Sequence, residues 1–410
     1  MPEFLELLPP PEALDLLLKH ITPRPRPEVI ETIRALNRVT FQPVIAPHPL
    51  PSFPRATVDG YAVRAADTFG ANDSLPAYLS VIGEVPMGAD AGFSLAAGQT
   101  AVIHTGGMLP RGADAVVMIE HTQSAAEGEV EILRAVAVGE NVLKIGEDVS
   151  EGEEVLAAGI RLRPAEIGGL MALGIVKVSV SSKPRVGILS SGDEVVPPEV
   201  QLQPGQVRDV NAYSLSALVE SVGGEPVRYG IIPDQIDLLR KAARLAFDEC
   251  DLVVITAGSS ASSRDLTAQV INELGLPGVL VHGVNVRPGK PTILAACDGK
   301  AVIGLPGNPV SALVIATLFV APVVEATLGM GYQPMKPRLS ARLTINLASQ
   351  AGREDWVPVR LIHGGAGWQA EPVFSKSNLI FSLSRADGLA RIPADANGVA
   401  AGEMLEVLLL

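Results

Sequence analysis

Aromatic side chains make up only 4% of this 410-residue chain. Its cores must therefore be built from Val, Leu, Ile and Ala, the composition of buried parallel strands. Cysteine is nearly absent: Cys250 and Cys297 stand apart from any metal-ligand spacing and read as buried thiols in a reducing compartment. With 6 His and 2 Cys, none at ligand spacing, zinc-hydrolase and cysteine-nucleophile chemistry lack support. Positive charge is also short, 32 Lys and Arg against 45 Asp and Glu, a net charge of −13. That argues against a general nucleic-acid or anionic-membrane binder, but not against a small anion held by local donors. There is no P-loop and no G-x-G-x-x-G after a strand, so NTPase and dinucleotide readings lack support. The acidic N-terminus has no basic signal-peptide region. The longest apolar run, Ala312 to Met330, is broken by Pro322 and Glu325 and reads as a buried helix rather than a membrane span. A soluble, cytoplasmic protein is expected.

The length implies two to four domains. Helical periodicity is expected over about 11–20 and 27–38, split by a Pro-rich segment from Thr22. From about Thr57 to Asp148, short alternating apolar runs between Gly turns read as a mostly β lobe. From about Pro184 to Leu328, strands alternate with helices, which predicts βαβ units and a largely parallel sheet covered on both faces. Within it, Asp298-Gly299 predicts a hairpin turn. After about Gly331, short strands with Gly turns suggest a small β-barrel or sandwich.

The chemistry concentrates from Asp251 to Ser311, where three apolar strands empty into small-residue loops. In open α/β sheets, ligands bind beyond the carboxyl ends of strands. The 256–265 loop offers hydroxyls, Ser260 among them, conformational freedom at Gly258, and Asp265 at its end; a capped helix start is the structural alternative. Arg287-Pro-Gly-Lys290 puts two cations on a turn around Gly289, an arrangement suited to phosphate. In 304–311, Pro306 and Pro309 stiffen the backbone while Asn308 and Ser311 offer polar heads before a helix. Ser191, Gly192 and Glu194 follow the first parallel strand, where a βα turn would meet a ligand or cap the next helix. Asp59 before Gly60 and Asp148 after Gly146 are each weak alone, since such pairs are common turns. Five loop carboxylates, Asp59, Asp148, Glu194, Asp234 and Asp265, set against basic anchors describe Mg²⁺-assisted chemistry on a phosphate ester or anhydride.

These segments occur together in an order that resembles one family. Leu50-Pro-Ser-Phe, Asp59-Gly-Tyr-Ala, Thr105-Gly-Gly, Gly146-Glu-Asp, Ser191-Gly-Asp-Glu194, Pro288-Gly-Lys-Pro and Gly304-Leu-Pro-Gly-Asn-Pro-Val-Ser311 look like those of the molybdopterin molybdenumtransferases, the bacterial MoeA and gephyrin E-domain type. The resemblance spans nearly the whole chain. It implies an N-terminal helix (1–19) packing on an α/β molybdopterin-binding domain (181–330), an elongated segment (20–47 and 152–180), a β-rich lobe (48–151) and a C-terminal β-barrel (331–410). It further implies a homodimer with a cleft built from both subunits, and Mg²⁺-dependent insertion of molybdate into adenylylated molybdopterin with release of AMP. A molybdopterin-adenylating enzyme and acceptor molybdoenzymes are the implied partners.

Carried onto this chain, Asp59, Asp148, Glu194 and Asp265 match the metal-binding carboxylates, and Lys290 joins them in catalysis. Thr105, Asp234, Arg287 and the Pro306 to Ser311 loop match binding positions, as do Arg353 and Ser377 near an oxyanion site. The chain departs from the family at Pro54 to Val58, at Val102 and Leu143 where Arg is frequent, at Ala257 and Ser262 where Gly is frequent, and at Arg287 where Lys is commoner. Those departures leave a non-catalytic molybdopterin-binding scaffold or carrier as the alternative, with an adenylating enzyme of the same α/β type behind it.

Overall fold

The computed structural model describes residues 7–257, 261–330, 337–365, 367–374 and 376–410, with the backbone alone for 261–265. The chain divides into two compact units: residues 1–42, 158–163 and 178–410 form one, and residues 43–157 and 164–177 form the other.

In the first unit, valine-rich runs make a six-stranded sheet. Its elements are α1 (Pro10–His20), β1 (Arg185–Ser191), α2 (Asn211–Ser221), β2 (Glu225–Ile232), α3 (Ile236–Glu249), β3 (Leu252–Ala257), α4 (Ala261–Asn272), β4 (Pro277–His282), β5 (Ile293–Cys297) and β6 (Lys300–Pro306). The strand order is β2-β1-β3-β6-β5-β4, parallel except that β5 runs against its neighbours. Period-two alternation feeds both faces. Leu252 and Val254 of β3 pack with α1 and α2, while Val253 and Ile255 pack with α3 and α4. The result is the three-layer α/β/α sandwich anticipated from the alternation of elements. The expected hairpin is there too: Asp298 (φ 48°) and Gly299 (φ 82°) are the two left-handed residues that turn β5 into β6. Beside it, the Lys300 ammonium donates to the carbonyls of Phe247 (2.7 Å) and Cys250 (2.9 Å), satisfying groups left open at the end of α3.

The apolar run after β6 is one helix, α5 (Pro309–Thr327), long and apolar enough to cross a membrane, but with 72% of that span buried. It covers the α1–α2 face of the sheet, so its hydropathy is that of a core helix. Its middle widens into a π-turn at Ala316–Val320. Pro322 has no N–H to give the carbonyl of Leu318, and the wider turn absorbs the missing bond.

Five further strands, β7 (Arg338–Leu343), β8 (Glu354–Gly364), β9 (Gly367–Pro372), β10 (Gly388–Ile392) and β11 (Met404–Leu409), close a barrel in the order β8-β9-β7-β11-β10 and back to β8. A short strand, Val286–Arg287, leaves the α/β sheet and pairs in parallel with Glu354 and Asp355 of β8. The apolar stretch from Gly278 to Val286 is thus two strands in two sheets rather than one. That switch plants the Arg287–Lys290 turn beside the barrel.

The second unit is built on a six-stranded sheet containing Gly60–Val63, Ala77–Glu84, Gln99–Ile103, Ala115–Met118, Thr122–Ser124 and Glu129–Ile132, the expected β-rich lobe. A further expectation fails, in the first unit. Residues 27–38 are not helical: Pro27–Glu31 is a strand paired with Lys177–Ser181, and only Thr32–Arg34 forms a 3₁₀ turn. The β-branched Val29 and Ile30 favour the extended form. Arg38 then clamps the ribbon, donating to Glu28 and, at 2.9 Å, to the Ser181 carbonyl.

Candidate active site

The carboxyl ends of all five parallel strands lie along one edge of the α/β sheet. Facing that edge is the barrel, and between them opens a cavity of about 810 Å³. The sheet side contributes Arg287, Gly289, Lys290, Pro306, Gly307, Asn308 and Ser311; the barrel side contributes Arg353, Asp355, Trp356, Lys376 and Ser377. The structure therefore brings the 287–290 and 304–311 loops together with Arg353 and Ser377, groups far apart in sequence.

Electrostatics mark this cleft out. Among the described lining residues, four cations (Arg287, Lys290, Arg353, Lys376) meet one carboxylate, Asp355. Asp355 is almost wholly buried, its side chain 4% exposed, and holds Arg353 through two contacts of 2.7 and 3.3 Å. Arg287 approaches it at 3.8 Å with its side chain 64% exposed. The single acid thus aims two guanidiniums while neutralising only one charge. Among the described residues, Lys290 and Lys376 have no carboxylate within ion-pair distance. A second cavity of about 870 Å³ on the far side of β8 provides the contrast: Arg338 and Arg391 there face Glu325, Glu354 and Glu406. Its arginines are tied up, Arg338 to Glu406 at 2.9 Å and Arg391 to Glu354 at 3.0 Å. Of these two cavities the first carries an excess of positive charge, within a chain of net charge −13.

Local sequence explains the shape of the cradle. Asn308 is the N-cap of α5 and Pro309 its first residue, a favoured helix start. An N-cap Asn ordinarily accepts from the first-turn amides, worth about 1 kcal/mol. Here it makes no such bond and instead donates to Ser377 Oγ at 3.1 Å, while Val310 N donates to the Ser377 carbonyl at 3.0 Å. The side chain serves the cleft rather than the helix.

At the neighbouring strand ends a polar knot forms. Ser191 Oγ donates to Asp234 Oδ1 at 2.6 Å, and Asp234 N donates to Asp193 Oδ1 at 3.1 Å. Gly192, at φ 150°, has Glu194 Oε2 only 2.8 Å from where a Cβ would sit. Glu194 is exposed. Gly258, Ser260 and the Asp265 side chain lie outside the described residues.

In the second unit, Gly60 is obligatory, because a Cβ there would stand 1.9 Å from the Val117 carbonyl oxygen. This fixes Asp59 at the strand entry, where its Oδ1 accepts from Thr105 N (2.7 Å) and Thr105 Oγ1 (3.0 Å). Those two bonds, the backbone one foremost, hold the Asp59 carboxyl below the usual carboxylate range, and the nearby His104 adds to the effect. Asp148 is exposed, its amide bonded to the Leu50 carbonyl at 3.0 Å. Among the described residues no three His, Cys, Asp or Glu side chains come together as a metal site. Asp59 and Asp148 belong to one unit and Glu194 to the other.

The lowered pKa has a testable consequence. Because the folded value is depressed, the stabilisation is present above the unfolded pKa and is lost as pH falls through the folded one. Side-chain NMR should find Asp59 titrating below about 3.9, the ordinary value. Thr105→Val should move it part of the way back, since the backbone donor remains. An unchanged titration in Thr105→Val would remove the hydroxyl from this account.

Sequence reading did not find Asp355, Lys376 or Asn211. An Asp two residues after an Arg and a Lys beside a Ser are ordinary pairs, and nothing local sets them apart. Asn211, at the start of α2, shows itself only through its contact with Gly307.

Three family models match in chain order: the MoeA N-terminal region (domain I and II) over residues 8–174, a probable molybdopterin binding domain over 187–326, and the MoeA C-terminal region (domain IV) over 340–410. A putative molybdopterin biosynthesis protein of Methanocaldococcus jannaschii is 35% identical over 390 residues, covering 93% of this chain and 92% of that protein. The molybdopterin molybdenumtransferase of Bacillus subtilis is 32% identical over 380 residues, covering 92% of this chain and 88% of its own. Among solved structures, a molybdopterin biosynthesis MoeA protein of Pyrococcus horikoshii superposes with a TM-score of 0.86 at 33% identity, over 99% of this chain and 100% of the other.

Proposed function

Since the chain belongs to the molybdopterin molybdenumtransferase family, enzymes of molybdenum cofactor biosynthesis, we propose that its cationic cleft receives molybdate and that the neighbouring strand ends bind adenylylated molybdopterin, which is split to release AMP as the metal is inserted. The observation that carries this reading is the four-to-one excess of cations over carboxylates in the cleft of an acidic chain.

The residues divide the work by their chemistry. Lys290 and Lys376 meet a tetrahedral oxyanion as point charges, while Arg353, held by Asp355, offers fixed N–H donors. Ser377 and Asn308 supply neutral donors at the same wall. The Pro306–Ser311 loop and the Ser191–Glu194 turn hold the organic part of the substrate, and Asp234 orients Ser191. The carboxylates of Asp59, Asp148, Glu194 and Asp265 are hard oxygen donors that fit Mg²⁺. Asp59 is held in its ionised form by Thr105, the state a cation-binding carboxylate needs. When bound, the cation shields and polarises the phosphoanhydride. A homodimer completes the cleft from both copies, a molybdopterin-adenylating enzyme supplies the substrate, molybdoenzymes receive the product, and the whole takes place in the cytoplasm.

The test is direct. Purified protein mixed with adenylylated molybdopterin, molybdate and Mg²⁺ should release AMP, and Asp265→Ala should lose that release while still binding substrate. Tight substrate binding with no AMP from the parent protein would leave the non-catalytic carrier in its place.

A further inference from the structure

Asn211 is 8% exposed, and its two amide atoms have unlike fates. Nδ2 donates to the Gly307 carbonyl at 2.8 Å, while Oδ1 is buried and, among the described residues, without a partner. A half-satisfied buried amide contributes less to stability than an apolar side chain of the same shape. The buried, unpartnered oxygen carries a desolvation cost that offsets much of what the one Nδ2 bond contributes.

Its position is held from the other side. Asp209, itself buried, accepts from Ala212 N at 3.0 Å and so caps the turn on which Asn211 sits. Asp209 N donates in turn to the Val196 carbonyl at 2.9 Å, and Val195 and Val196 pair with Val207 and Arg208. This small ribbon begins at Glu194 and closes at Asn211. On the receiving side, Gly307 lies between Pro306 and Asn308, and all three line the cleft. Turning the Gly307 carbonyl toward Asn211 decides which way the Gly307–Asn308 peptide faces.

From this geometry we infer that Asn211 is a positioning residue for the cleft: it fixes the Gly307–Asn308 peptide and links the Glu194 turn to the loop that holds the substrate. The inference rests on the proposed activity, and its test separates the two. Asn211→Leu keeps the branched shape and removes both polar amide atoms; Asn211→Ala removes them with less bulk. Hydrogen exchange over residues 304–312, molybdate binding by equilibrium dialysis, thermal unfolding and AMP release are then read together. The Leu variant should unfold close to the parent temperature, exchange faster across Gly307 and Asn308, bind molybdate more weakly, and lose about 10²-fold in kcat/KM. Parental exchange and parental kcat/KM in both variants would overturn the inference. So would losses of activity that merely follow losses of thermal stability. If the parent protein releases no AMP, the proposed activity falls, and exchange with molybdate dialysis still decides the role of Asn211.

Discussion

Lys290→Ala should reduce AMP release by about 10²–10³-fold, roughly 3–4 kcal/mol, the loss typical of removing one preorganised donor from an oxyanion site. The reason is local. Of the four cations in the cleft, Arg353 is committed to Asp355 through two contacts and Arg287 leans toward the same acid, so Lys290 and Lys376 carry most of the uncompensated charge. Lys290 is also the better anchored of that pair, because its carbonyl accepts from both Val284 N and Thr292 N at 2.9 Å. Lys290→Arg should recover only part of the loss, since a planar fork does not reproduce a compact ammonium. The matching control is Arg338→Ala in the second cavity, where carboxylates outnumber cations, which should leave turnover near the parental rate. Steady-state AMP release across the three variants measures this. Equal activity in Lys290→Ala and the parent would remove Lys290 from the site.

Gly289→Ala should be nearly as damaging, by a different route. Gly289 is at φ 114° and buried, and an added Cβ would meet Ile315 Cγ1 at 2.3 Å and Cδ1 at 2.5 Å. Left-handed strain and overpacking together predict a destabilisation of about 2–4 kcal/mol, a large share of the roughly 5–15 kcal/mol that holds a typical domain folded. Ile315 belongs to α5 and cannot retreat, being fully buried in the core. The turn must move instead. Gly289 O accepts from Thr292 Oγ1 at 2.6 Å, so the movement carries Lys290 out of the cleft. Adding Ile315→Ala to Gly289→Ala should recover part of the stability, a coupling a double-mutant cycle would expose. Strict additivity of the two changes in denaturant unfolding would show that this contact is not the cause.

Much of this arrangement is legible in the amino-acid sequence. Alternation of Val-rich runs with helical segments gave the parallel sheet, because two-sided burial leaves a strand no polar face. Asp298-Gly299 announced its hairpin, because both turn residues must tolerate positive φ. Arg287-Pro-Gly-Lys290 stood out because two cations on a tight turn need an anion or open water. What stayed hidden depended on distant partners. Residues 27–38 carry a weak helical period that pairing with Lys177–Ser181 overrides. Asp355 gains its meaning only from a strand switch at Val286–Arg287 that lays two sheets side by side. Asn211 looks like any residue at a helix start until Gly307, 96 positions away, is seen to accept its proton. Local chemistry identifies loops; the pairing of loops belongs to the tertiary fold.

The central claim is that the cleft between the α/β sheet and the barrel is the oxyanion site. Its most direct test is a crystal soaked in tungstate, whose anomalous scattering locates the anion without assumption. The strongest peak should fall between Lys290, Arg353 and Ser377, and Lys290→Ala crystals soaked alike should lose it. A dominant peak elsewhere, or one at the cleft that persists in Lys290→Ala, would contradict the account.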